Sequence, residues 1–187
     1  MYEHLANFHG GPPNRLHHSL YKKWASGGWG MLLTGNVQVS STHLSLGRDL
    51  VSPGTSAKPE VLHAWRELAS AMHSVPPGTT TPLAVIQLSH AGRQSPRIIG
   101  GRGPFTSALA PSAKRVGSDS PEGCIAKAAY YLLFNSVKAM SVAEIHEVVD
   151  SFVLAAKSAV DAGFDGVQLH ASHGCESIYS YSAIHII

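Results

Sequence analysis

Three short apolar stretches, kept apart by helical spacing, constrain this chain most. They are Met31-Leu32-Leu33-Thr34-Gly35-Asn36-Val37, Leu83-Ala84-Val85-Ile86-Gln87-Leu88-Ser89, and the run Gly166-Val167-Gln168-Leu169. The first two are nearly continuous in apolar residues, as strands of a parallel sheet are when both faces are covered. The third reads as a short buried strand, with Val167 and Leu169 on one face and Gln168 and His170 on the other. Between the first two strands, Pro59 to Ser74 carries Leu62, Trp65, Leu68, Ala69 and Met72 at helical spacing, with Pro59 in its first turn. Between the second and third, Ser141 and Glu144 form a capping box. The helix they open runs to about Ala162 with Ile145, Val148, Val149, Phe152, Ala156 and Val160 inward. Gly163 suits its C-cap and Gly166 a close turn. One more helix, Leu16 to Ser26, precedes the first strand, with Leu16, Leu20, Trp24 and Ala25 on one side. Helical crossovers between buried strands predict a parallel α/β sheet. Periodicity alone leaves a closed barrel and an open doubly wound sheet as alternatives.

The remaining segments read as loops. Residues 7–14 hold Gly10, Gly11, Pro12 and Pro13. Ser40 to Ala57 is polar, and Gln94 to Gly123 is a Gly-, Pro- and Ser-rich loop long enough to imply a function, such as covering a site. Within it and just before it, Arg93, Arg97 and Arg102 are read as facing solvent, with a cofactor phosphate as the alternative. Lys127 to Met140 is apolar and fits neither period. Gly27-Gly28-Trp29-Gly30 precedes its strand, which excludes a dinucleotide loop, where the glycines lie between strand and helix. His146-Glu147-Val148-Val149-Asp150 resembles a zinc-protease motif whose second histidine is replaced by Asp150, and it reads as the exposed face of a helix.

A net charge of +2 gives no case for nucleic acid or an anionic membrane as partner. The cysteines are Cys124 and Cys175, without a CxxC, so neither a zinc ribbon nor a disulfide framework is indicated. Met1 to Ala6 lacks the basic and apolar regions of a secretory signal, and no apolar run spans a bilayer. The expectation is a soluble cytoplasmic protein of undetermined oligomeric state. With 187 residues the chain is shorter than the roughly 250 of a complete (β/α)8 barrel.

Polar or small groups fall at the carboxyl ends of all three strands: Thr34-Gly35, Gln87, and His170 with His173. In parallel α/β folds those ends converge on one site.

Ala162-Gly163-Phe164-Asp165-Gly166-Val167-Gln168-Leu169-His170-Ala171-Ser172-His173-Gly174 resembles the signature of the Old Yellow Enzyme family of FMN-dependent NADH:flavin oxidoreductases and ene-reductases, and the match recurs upstream in family order. The resemblance implies an α/β fold that is a partial TIM barrel, covering roughly its first half. Residues 1–174 would be the amino-terminal portion of an FMN-binding barrel. It implies FMN as cofactor, NADH or NADPH as reductant, and the activated C=C bond of a small unsaturated carbonyl compound as substrate. By the same resemblance, Gly35 packs its backbone against the flavin ring and Gln87 bonds the pyrimidine end. His170 and His173 grip the substrate carbonyl oxygen, and Tyr2 matches an active-site tyrosine. The pattern departs from the family where Cys175 stands in place of the proton-donating tyrosine. Residues 175–187 are a divergent tail, expected to reflect a frame or splice change. The expectation is that this chain alone is inactive. The alternatives are a non-catalytic truncated product and a flavin-free barrel lyase or isomerase.

Overall fold

A computed structural model describes residues 3–54, 58–116, 123–134 and 136–171. In chain order the elements are α1 (Arg15–Ala25), β1 (Met31–Gln38), β2 (Leu50–Val51), α2 (Pro59–Met72), β3 (Leu83–Ser89), β4 (Ala108–Ala110), α3 (Cys124–Leu133), β5 (Val137–Ala139), α4 (Val142–Ala162) and β6 (Gly166–Leu169), with a 3-10 turn over Gly92–Gln94. The main sheet has the order β2-β1-β3-β6 and every pairing in it is parallel. A second, two-stranded sheet pairs β4 with β5, also in parallel.

Local sequence sets the helix ends. Asn14 accepts from the Leu16 N–H at 2.9 Å and starts α1. Ser141 and Glu144 form the expected reciprocal cap of α4, the Ser141 N–H donating to Glu144 at 2.8 Å. Gly163 ends α4 in the left-handed region at φ 90°, which only glycine adopts without strain.

Helices α1, α2 and α4 cover one face of the sheet. Tyr21 and Ala25 of α1, Trp65, Leu68 and Met72 of α2, and Ala155 and Ala159 of α4 meet Leu32, Val37, Ala84, Ile86 and Leu88 in one core. Each fully buried large side chain contributes about 1.5–3 kcal/mol of transfer free energy. Since Ala84, Ile86 and Leu88 face the helices, alternation turns Val85, Gln87 and Ser89 to the opposite face.

Four details differ from the sequence reading. The buried stripe of α1 is His17, Tyr21 and Ala25, and Leu16 is 49% exposed. The Asn14 side chain holds His17 inward at 3.1 Å, and this rotates the helix by about one residue from a purely apolar count. Val160 of α4 is 70% exposed, because Ala155, Ala159 and Ala162 make the close contact with the sheet. The long loops carry short elements: β2 lies in the first, and β4 in the second, where it pairs with β5. Lastly, β6 is not buried. It pairs with β3 on one side only among the described residues, leaving Val167 41% and Leu169 39% exposed.

Candidate functional site

The face of the sheet turned away from the helices carries a polar row at the carboxyl end. Asn36 is in register with Gln87, and Gln87 with Gln168. A bulge makes this row possible. β1 uses both Thr34 and Gly35 between the pairs Leu33↔Val85 and Asn36↔Gln87, so one extra residue sits opposite Ile86. That extra residue brings Asn36 and Gln38 beside Gln87 and Ser89. Thr34 Oγ1 stitches the bulge by accepting the Gln87 N–H at 2.9 Å and donating to the Gly35 carbonyl at 2.8 Å.

Gln87 is 8% exposed and its Nε2 donates to Gln168 Oε1. Its own Oε1 is buried without a protein partner, as are Asn36 Oδ1 and Gln38 Oε1. Buried polar atoms left unpaired cost about 1–3 kcal/mol each, so a row of amides in this condition is suited to a ligand rich in donors and acceptors. Gln38 Nε2 bonds Ser45 at 2.9 Å, which ties the row to the loop after β1.

Gly35 lies at the bulge, where its N–H reaches both Glu3 Oε1 at 2.7 Å and the Tyr21 hydroxyl at 2.9 Å. The Tyr21 hydroxyl in turn donates to Glu3. Burial, reinforced by the Glu3 charge, pushes the Tyr21 phenol far up, so it stays protonated as the donor. The Glu3 carboxylate occupies the space a side chain on Gly35 would need.

His170 continues the β6 ladder, its N–H donating to the Leu88 carbonyl at 2.8 Å, and it is half-buried at the carboxyl end of the sheet. By alternation it shares a face with Gln168. Thr34, Gly35, Gln87 and His170 are therefore at one end of one sheet. Tyr2, His173 and the 175–187 tail lie outside the described residues.

Several residues at this end carried no signal in the periodicity. Gln168 was legible as a face but not as a partner of Gln87, and Asn36 was hidden by the bulge. His43, in the loop after β1, and His90, directly after β3, are buried with ring centroids 4.6 Å apart. Burial, the neighbouring His90 and the Arg102 charge push His43 down to about 3. It is therefore neutral, accepts the Leu109 N–H of β4 at 3.0 Å, and contacts Thr42 Oγ1 at 3.1 Å. This bond fastens the β4–β5 sheet beside the carboxyl ends of β1 and β3.

The three arginines read as solvent-facing are instead half-buried loop braces. Arg102 donates to the carbonyls of Ser95, Thr42 and Thr106 at 2.8, 3.3 and 3.2 Å. Arg93 bonds the Lys114 carbonyl and Ser112, and Arg97 the Tyr131 carbonyl. Multiple backbone acceptors in loops without a regular ladder give guanidinium groups this role. His146 and Asp150 are exposed on α4, as the sequence indicated.

Residues 4–175 match the model of the NADH:flavin oxidoreductase / NADH oxidase family, which is most of the chain. The chain belongs to this family. Among its relatives, the NADH-dependent flavin oxidoreductase iliE of Neonectria sp. (strain DH2) is 43% identical over 162 residues, 87% of this chain and 20% of that protein. The NADH-dependent flavin oxidoreductase iccE of Talaromyces variabilis is 38% identical, over 84% of this chain and 36% of that protein. The family chain also superimposes on the old yellow enzyme homologue of Zymomonas mobilis with a TM-score of 0.70, at 24% identity, over 94% of its own length and 44% of the other. Morphinone reductase gives 0.67 over 91% and 43%. The parallel sheet is thus part of a (β/α)8 barrel of Old Yellow Enzyme type, and the chain spans less than half the length of these proteins. FMN and a nicotinamide reductant are the cofactors this family membership supports. The amide row fits such a group, because its buried unpaired oxygens lie where the strands' carboxyl ends meet.

Proposed function

We propose that residues 1–174 are the amino-terminal portion of an FMN- and NADH-dependent reductase acting on the activated C=C bond of unsaturated aldehydes or ketones. The observation that carries this reading is the row Asn36, Gln87 and Gln168, with Gln87 Oε1 buried and unpaired on the face away from the helices. When bound, FMN supplies the hydride. Gln87 would hold the edge of its ring, and the backbone at Gly35 would lie beside it. His170 and His173 are assigned to the substrate carbonyl oxygen, where two imidazole N–H donors offset negative charge as it builds. One donor in such a position is worth about 3 kcal/mol of barrier, or roughly a hundredfold in rate. Tyr2 is assigned to the same pocket. In this reading the 187 residues do not turn over substrate by themselves.

The test is a chimaera that continues residues 1–171 with the later part of the Neonectria relative, retaining a histidine at the position of His173. His170→Ala should slow reoxidation of reduced flavin by an enone roughly a hundredfold while flavin remains bound. Unchanged enone kinetics with full flavin occupancy would refute the oxyanion assignment.

A further inference from the structure

The strongest feature outside this site is a groove on the outer surface between α1 and the end of α2. It consists of two adjoining recesses of about 470 Å³ and 530 Å³, which share Lys22 and Ser74. Both recesses are open to solvent, with Lys22, Lys23 and Arg66 exposed on their walls. Arg66 lines the first recess and Lys23 the second. Glu67 is the one acid in the lining, and it is turned to His18 at 3.7 Å and His63 at 3.5 Å. Arg66 donates to the Asp161 carbonyl, and no described carboxylate comes within 4 Å of Lys22, Lys23 or Arg66. Among the described residues, three permanent cations therefore face one groove without ion-pair partners.

The carbonyl ends of α1 and α2 also approach the groove. Each contributes about half a negative charge, which the three cations exceed. Serine hydroxyls at Ser19, Ser70 and Ser74 add neutral donors to the wall. Cations with serine hydroxyls are the donor set of phosphate recognition, and the ring side chains in the lining are His18 and His63, both beside Glu67. The groove opens where α1 and α2 end, at the amino ends of β1 and β3. The amide row and His170 lie at the opposite ends of these strands.

We propose that this groove binds a small molecule carrying two adjacent phosphate groups, with Lys22 shared between the recesses and Arg66 and Lys23 at either end. The proposal is independent of the flavin reading. Its test is titration calorimetry of inorganic pyrophosphate into the full chain at about 0.15 M salt, where screening removes diffuse attraction. Saturable one-site binding is expected. The double variant Lys22→Gln, Arg66→Gln should bind roughly tenfold more weakly or worse, and Glu67→Gln more tightly, both with unchanged far-ultraviolet circular dichroism. Absence of saturable binding, or equal affinity in all three proteins, overturns the site. With ATP as a second probe, an affinity equal to that of pyrophosphate identifies recognition of phosphate alone. Tighter ATP binding adds a nucleoside to the ligand. ATP that fails to compete with pyrophosphate contradicts an open groove.

Discussion

Tyr21 is an apolar-looking helix residue whose hydroxyl does the specific work. Its ring fills the core beneath β1, meeting Trp24 edge-on at 5.0 Å between centroids. Its oxygen links α1 to the bulge through Glu3 and the Gly35 N–H. Phenylalanine would keep the packing and remove both bonds. Because one partner is a carboxylate, Tyr21→Phe should lower unfolding stability by about 2 kcal/mol. Urea denaturation checks this, and a loss below about 0.5 kcal/mol would show that Glu3 and Gly35 find water instead. None of this was legible in the sequence. Tyr21 lies one residue from the apolar positions that define the helical stripe, and Glu3 is distant in the chain.

Asp165 acts between elements. It opens the turn into β6, accepts the Ala84 N–H of β3 at 2.7 Å and meets His73, just past α2, at 2.7 Å. The His73 hydrogen bond first, then the Ala84 N–H, holds its carboxyl below the usual range. A depressed folded-state value means that the unfolded chain takes up the proton first as pH falls. The stabilisation from Asp165 is therefore complete above its ordinary value of about 3.8 and fades as the pH falls through the lower folded value. Asp165→Asn should remove that part of the acid dependence and destabilise the protein at pH 6. Matched thermal melts at pH 6 and pH 3 test this. An equal difference between variant and parent at both would dismiss the tie. Element order was readable because β1 and β3 open on nearly continuous apolar runs and α4 carries its cap and its terminal glycine. The amide row was only half readable. Strict alternation from Leu32 places Asn36 with the helices, and the bulge at Thr34 and Gly35 reverses this. β4 and β5 escaped because three-residue strands in a loop have no period to detect.

At the scale of the whole molecule, helices cover one face of the sheet, and among the described residues its margin stays open along β6. Val167 and Leu169 stand at that margin, partly exposed, beside backbone groups that have no ladder partner among the described residues. Such an edge is a template for further strand pairing. Expressed alone, residues 1–187 should show no flavin absorbance after purification and should raise the fluorescence of an apolar dye. A yellow protein that leaves the dye dark would mean that these elements suffice to hold flavin.

The all-parallel connectivity also sets the tempo of folding. The bond from the Gln87 N–H to Thr34 joins residues 53 apart, and that between Gln87 and Gln168 joins residues 81 apart. Among the described strands every pairing in this sheet is parallel and no hairpin joins them, so each pairing waits for a long loop to close before any contact offsets the lost chain entropy. Of the described strands of this sheet, β6 comes last in sequence, and its neighbour β3 keeps one side bare until then. A nascent chain of this design spends its vulnerable interval with β3 as the exposed margin, which makes that strand, and not the finished edge, the surface a holding chaperone would engage.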